Sequence, residues 1–195
     1  LAKQGTSVID LEGLANHRGS SFGALGLPEQ PSNEHFENLL ANELNGFQEV
    51  ASEEIWLEAE SSHLGKCRIP HSLFKQMSIA PVLEITCSKN ERVKRLVMVY
   101  SKYGERALTK ATERISRRLG PQRTKNALEA ITLGDWKEAC IAMLDYYDRC
   151  YEFELAKAKS LVSIDISRLS ISQAAEMLIR KRLVKNHIRL ACPSK

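Results

Sequence analysis

Two strand-like runs in this chain end in closely spaced acids. The run Ser7-Val-Ile-Asp-Leu11 carries Asp10 and then Glu12, and the run Glu54-Ile-Trp-Leu-Glu58 carries Glu58 and then Glu60. Alternation along an extended strand puts each pair on one side, so four carboxylates can crowd one rim and hold a Mg²⁺ ion or a hydrogen-bonded water. An apolar strand ending in Asp also has the form of the Walker B element of P-loop proteins, whose acid helps hold Mg²⁺ on phosphates. The bland alternative is that Asp10 only caps the turn after its strand. Downstream lies His17-Arg18-Gly19-Ser20-Ser21. The Arg18 fork, the Ser20 and Ser21 hydroxyls and the backbone at Gly19 suit phosphate oxygens, while His17 can donate or accept a proton near neutrality. The competing reading pairs Arg18 with Glu12 or Glu60. His63 and Lys66 follow the second acidic pair and are further ligand candidates. Cys67 lies between Lys66 and Arg68, two cations that favour a thiolate, although the sequence places no base beside it.

The elements that would position these groups read as strands alternating with helices. Apolar runs end near residues 11, 58, 87 and 166, and helical stripes follow at Phe36-Leu39-Leu40-Leu44, His71–Met77, Val93-Leu96-Val97-Tyr100 and Ala174-Ala175-Leu178-Ile179. That alternation predicts an α/β fold: a mostly parallel sheet of a P-loop NTPase-like domain, with helices on both faces and a helical insertion. Residues 1–103 and 160–184 form the predicted core, 104–159 the helical insertion and 185–195 a basic tail. Within the insertion, Asp135 is the expected cap of a helix that buries Trp136, Cys140, Met143, Leu144 and Tyr147, and Tyr146, Tyr147 and Tyr151 read as helix packing, with stacking on nucleic-acid bases the alternative. Ser170 and Gln173 have capping-box spacing. The phosphate cradle G-x-x-x-x-G-K-[S/T] does not occur in the 195 residues, so the sequence supplies at most half of a P-loop site.

Charge is polarised along the chain. Residues 1–60 hold eleven acids against Lys3 and Arg18, whereas residues 89–125 hold twelve lysines and arginines against Glu91, Glu105 and Glu113. Six more bases and no acid lie from Arg180 to Lys195. A basic face of this kind fits a polyanion, and ordinary solvent-facing helix residues would give the same composition. The five cysteines, Cys67, Cys87, Cys140, Cys150 and Cys192, are scattered without C-x-x-C spacing, which argues against a disulfide framework or a zinc knuckle and for a reducing cytoplasmic setting. No apolar run reaches the length of a membrane span, and neither a membrane nor a secretory signal is expected.

Five blocks, VIDLEGLANHRGSSFG, QPSNEHFENLL, IWLEAESSHLGKCRIP, ERVKRLV and YYDRCY, lie in order between residues 8 and 151. Together they resemble the P-loop-containing C-terminal region of the bacterial tRNA 2-selenouridine synthases. The resemblance implies an enzyme that exchanges the sulfur of wobble 2-thiouridine in tRNA for selenium, through an S-geranyl intermediate, with geranyl diphosphate and selenophosphate as co-substrates. Such enzymes carry a rhodanese-like domain with a catalytic cysteine, then a Walker A loop. Both are missing from this chain, which therefore looks like the last part of the enzyme and inactive alone, and none of its cysteines is equated with the rhodanese one.

By that resemblance Asp10 or Glu12 would orient Mg²⁺ or the attacking group, with Asp10 the metal candidate. Glu58 and Glu60 would complete the acidic edge, and His17 and Arg18 would join them in catalysis. Arg18, Gly19, Ser20, Ser21, His63 and Lys66 would bind diphosphate. Lys94, Arg95, Arg106, Lys110, Arg114, Arg117, Arg118, Arg123 and Lys125 would take the tRNA backbone, with the basic tail beside them. Two other classes remain open: a non-catalytic RNA-binding module, and a fragment of a nucleotide-dependent kinase or NTPase.

Overall fold

In the computed structural model, the structure describes residues 1–49, 54–158, 160–182 and 189–191. The predicted basic tail, 185–195, lies outside these residues apart from the backbone of 189–191, as do Leu183 and Cys192.

The first half of the chain runs β1 (Val8–Ile9), α1 (Leu11–Leu14), α2 (Asn33–Glu49), β2 (Trp56–Leu57), β3 (His63–Leu64), β4 (Cys67–Arg68), α3 (His71–Ile79) and β5 (Val82–Thr86). Helices then dominate: α4 (Lys89–Tyr100), α5 (Gly104–Arg114), α6 (Ser116–Leu119), α7 (Pro121–Thr132) and α8 (Trp136–Leu155). The elements β6 (Leu161–Asp165), α9 (Ile171–Arg182) and β7 (Arg189–Ala191) follow. Strand β1 pairs with β2 in parallel, β3 with β4 antiparallel, and β5 lies between β6 and β7, parallel to both.

The expected α/β architecture, a sheet-dominated P-loop NTPase-like domain, is overturned. The described residues are predominantly helical, and the described strands fall into three small separate sheets. The reason is local. The apolar runs at 7–11 and 54–58 each contribute only two paired residues, because the acid after Ile9 starts a helix instead of extending the strand. Asp10 accepts a hydrogen bond from the Gly13 N–H at 2.7 Å and so caps α1, satisfying one of the amides that a helix start leaves open. After Glu60 the chain folds back as the β3–β4 hairpin before α3 begins. Helix α2 runs on through Asn45-Gly46, a pair of residues that commonly ends a helix. Phe47, beyond that pair, packs with Leu44 against the core around Phe36, and this burial outweighs the glycine's cost of about 1 kcal/mol.

Helix starts follow their sequence signals closely. Asp135 accepts from the Glu138 N–H at 3.0 Å at the head of α8. Ser170 and Gln173 bond reciprocally, at 3.2 and 2.9 Å, at the head of α9, the two-way arrangement of a capping box.

Three apolar clusters hold the chain together. One joins β1, α1, α2, the hairpin and α3 around Ile9, Leu11, Phe36, Leu40 and Leu64. A second, around Trp56, Leu83, Ile164 and Leu178, packs the small sheets against α9. The third packs α4 through α8 and reaches outside them to Phe22 of the early loop. Helices α4 and α8 are further clamped by a two-pronged ion pair between Arg92 and Asp148, with one arm at 2.8 Å. Among the described residues, no helix is long and apolar enough to cross a membrane.

Candidate functional site

The segment from Asp10 to Gly23 is a short capped helix followed by a loop that closes on itself. The Arg18 N–H donates to the Gly23 carbonyl at 3.1 Å, and the Gly23 N–H donates to the Ser20 carbonyl at 2.7 Å. Ser20 is buried, and its hydroxyl accepts from the Phe22 N–H at 3.3 Å. Gly19 sits at φ +63°, and a β-carbon there would lie 2.7 Å from one Glu60 oxygen. Only glycine meets both the backbone angle and the approach of that carboxyl.

The hairpin is tied to this loop by one side chain. Gln30 donates to the carbonyls of Ala15 and Leu64, at 3.0 and 2.8 Å, and accepts from the Lys66 N–H at 2.9 Å. The ring of His17 lies 2.8 Å from where a β-carbon on Gly65, φ +62°, would stand. His17 is therefore pressed between loop and hairpin. Its Nδ1 is buried without a hydrogen-bond partner, and burial lowers its pKa, so the imidazole is neutral at pH 7.

The acids come together in part. The Glu58 carboxylate accepts from the Leu11 N–H at 2.9 Å and meets Asp10 in a shared hydrogen bond. Burial first, then that bond to Asp10, raises the Glu58 pKa to about 7. Burial likewise raises Glu60 to about 7. Two of the four rim acids thus hold their protons close to neutrality, because a carboxylate moved out of water is costly unless it is paired. Glu12 is buried in α1 at 8 % exposure. Asp10 is occupied in capping α1 and bonding Glu58. Among the described residues, no three His, Cys, Asp or Glu side chains are placed to hold a metal ion. The donor set does not fit a Mg²⁺ site, and no step below runs through one.

Arg18 faces the other way. Its guanidinium donates to the Leu25 carbonyl at 2.9 Å and lies 6.0 Å from the centre of the Tyr100 ring. His63 and Lys66 are exposed on the hairpin, His63 sharing a 2.9 Å hydrogen bond with Ser62. Cys67 is wholly buried. Its thiol lies 3.7 Å from the Pro31 carbonyl, and burial raises its pKa, so the flanking cations do not make it a thiolate.

The predicted polyanion contacts are spread over four helices. Lys94 and Arg95 are exposed on α4, Arg106, Lys110 and Arg114 on α5, Arg117 and Arg118 on α6, and Lys125 on α7, with Arg123 half-buried. Arg123 donates to the Leu119 carbonyl at 3.4 Å, and Lys125 stands 3.8 Å from Glu129. Arg92 and Lys89, which swell the basic count, are paired with Asp148 and Asp145 of α8.

The sequence gives no sign of the parts that Gln30 and Phe22 play in this region. Gln30 carries the loop-to-hairpin tie, and Phe22 and Tyr100 meet edge to face at 5.9 Å beside Arg18. Apolar periodicity marks Tyr100 as a core residue, but nothing local marks its partner.

Comparison with known proteins bears on the whole chain. The family described as tRNA 2-selenouridine synthase AAA domain matches residues 1–182. The tRNA 2-selenouridine synthase of Marinobacter nauticus is 33 % identical over 187 residues, covering 80 % of this chain and 50 % of that protein. The one from Aeromonas salmonicida is 31 % identical, covering 80 % and 50 %, and that from Sulfurovum sp. 30 % identical, covering 83 % and 52 %. The chain spans about half the length of these curated relatives. No solved structure matches it. The chain belongs to the tRNA 2-selenouridine synthase AAA domain family.

Proposed function

We propose that this chain serves a tRNA 2-selenouridine synthase by holding the diphosphate of geranyl diphosphate at Arg18, with the wobble 2-thiouridine of tRNA brought alongside. In the transfer, the sulfur of 2-thiouridine bonds to C1 of the geranyl group. The C1–O bond breaks with its electron pair leaving on diphosphate, and the ring N3–H proton passes to a base. Selenophosphate then serves the later exchange of the geranylated sulfur for selenium.

The observation that carries this reading is the setting of Arg18. Its guanidinium is oriented by the Leu25 carbonyl and the Tyr100 ring, in a loop that also carries the Ser20 and Ser21 hydroxyls. A preoriented cation stabilises charge developing on a leaving group without reorganising for it. The neighbouring acids do not oppose it fully at neutral pH, since Glu58 and Glu60 titrate near 7. That same value suits either carboxylate to take the N3 proton. The exposed bases of α4 through α7 supply the phosphate-backbone contacts for tRNA, which weaken steeply with salt.

The test is geranylation of thiolated tRNA by the full-length protein. Arg18→Ala should lower the rate by about 100-fold, with Arg18→Lys partly restoring it and the melting temperature of both close to wild type. Wild-type activity in Arg18→Ala would remove Arg18 from the reaction. One observation favours a second reading, a non-catalytic RNA-binding module: Asp10 is engaged as a helix cap. Asp10→Asn keeps an oxygen for the cap, and undiminished geranylation in that variant would strip Asp10 of any chemical role.

A further inference from the structure

The loop that carries Arg18 is seated on the helical cluster as well as beside the acids. Phe22 is buried in that cluster, meeting the Tyr100 ring edge to face, and Leu25 packs against the same residues. Two hydroxyls then reach the loop from the helices. Tyr100 closes α4, and its hydroxyl meets the Ser20 hydroxyl and the Arg18 side chain. Tyr147 lies on α8, and its hydroxyl meets that of Ser21. The two helices are themselves clamped by Arg92 and Asp148, so the loop is held across their seam by one tyrosine from each wall.

These contacts decide what the serines can do. A serine hydroxyl has a single proton to give. Ser20 is buried, and its oxygen already accepts from the Phe22 N–H at 3.3 Å, which leaves its proton for Tyr100. Ser21 stands against Tyr147 in the same way. A hydroxyl spent on a tyrosine is not offered to an anion, so neither serine serves Arg18 as a fellow ligand. Phenylalanine would fill either tyrosine's place in the packing. What the hydroxyls add is direction, because a hydrogen bond weakens steeply off its line, and the residue whose direction they fix is the arginine just before the serines.

We propose that Tyr100 and Tyr147 are positioning residues for Arg18: their hydroxyls hold Ser20 and Ser21 and thereby aim the guanidinium, and neither serine touches the bound anion. The assignment rests on the diphosphate reading of Arg18. It moves Ser20 and Ser21 from the anion's ligands to the supports of the loop, and it makes the placing of the cation depend on how α4 lies against α8.

The experiment pairs calorimetric titration of the full-length protein with inorganic diphosphate and hydrogen exchange at the Gly23 amide, whose bond to the Ser20 carbonyl closes the loop. Tyr147→Phe should weaken inorganic diphosphate about fivefold, the worth of roughly one hydrogen bond, and Ser21→Ala should do the same. The double variant should be no weaker than either single one, because both remove the same contact. Losses that multiply would make Ser21 a direct ligand and overturn the assignment. Tyr100→Phe, which keeps the ring beside Arg18, should speed exchange at Gly23 about fivefold and leave the amides of α7 within twofold. In geranylation by the full-length protein, both tyrosine variants should lower kcat about fivefold with KM for thiolated tRNA within twofold, whereas a general loosening of the helices that carry the bases would raise that KM. Wild-type exchange at Gly23 in both tyrosine variants, or a raised KM for tRNA with kcat unchanged, would sink the positioning role. The two readings fail separately. If Arg18→Ala leaves inorganic diphosphate binding intact, the diphosphate reading is wrong, and exchange at Gly23 still decides whether the tyrosines hold the loop.

Discussion

The acidic rim is built from two short stretches of chain, Asp10 with Glu12 and Glu58 with Glu60, whereas an apolar cleft inside the helical cluster is walled by Phe22, Tyr100, Leu108, Ile131 and Tyr147 from five separate segments. In the rim, polar groups are spent on one another: Asp10 on the amide of Gly13, Glu58 on the amide of Leu11 and on Asp10. In the helical cluster the Tyr100 and Tyr147 hydroxyls are buried, and what they meet, Ser20 with Arg18 and Ser21, comes from a loop far away in the chain. A dense cluster of charge in a sequence is therefore a poor guide to where a ligand is met, because clustered groups satisfy each other.

This contrast predicts that the helical half is held by volume and the rim by electrostatics. The largest effect should come from Ile131, 1 % exposed in the helical cluster: Ile131→Ala should destabilise by about 2–5 kcal/mol in denaturant unfolding, with no dependence on pH between 5 and 8. A cost below 1 kcal/mol would mean that the cleft already leaves this cluster underpacked. Next comes the clamp between α4 and α8. Arg92→Ala removes a half-buried two-pronged pair with Asp148 and should cost roughly 1.5–3 kcal/mol. Lys89→Ala breaks a far more exposed pair with Asp145 and should cost less than about 0.5 kcal/mol. Equal losses in the two would show that exposure does not set the strength of these pairs.

The same contrast explains what could be read in advance. Helix starts at Asp135 and Ser170 depend on contacts three residues apart, and the apolar stripes depend on a period of 3.6, so both are written locally. Strand length is not. Whether Ile9 continues a strand or yields to a helix is decided by Asp10 finding the Gly13 amide and Glu58 finding the Leu11 amide across the sheet, and the second contact spans 47 residues. The Arg92–Asp148 clamp spans 56, so Arg92 reads as one more base in a basic run although its charge is already matched. The Arg18 loop announced itself by composition, but its Tyr100 neighbour, and the cleft beyond, came only with the packing of α4 on α8.

Glu60 offers the finest separation of the two regions. Its carboxyl lies against Gly19 and titrates at about 7, raised from 4.5 by burial. Below pH 4.5 it is protonated in the folded and unfolded chain alike and costs nothing. Between 4.5 and 7 the unfolded chain releases the proton while the folded one retains it, so stability falls as pH rises through this window and levels off above it. Glu60→Gln, neutral throughout, should match wild type near pH 4 and exceed it at pH 8. The gain should be on the order of 1 kcal/mol once solvent screening of a half-buried carboxyl is allowed for. Unfolding curves for the two proteins that stay parallel from pH 4.5 to 8 would show Glu60 to be an ordinary surface carboxylate. Diphosphate affinity should respond in the same window, since an ionised Glu60 beside Gly19 repels an anion held by the next residue, Arg18. Wild type should therefore lose affinity relative to Glu60→Gln as pH rises from 6 to 8.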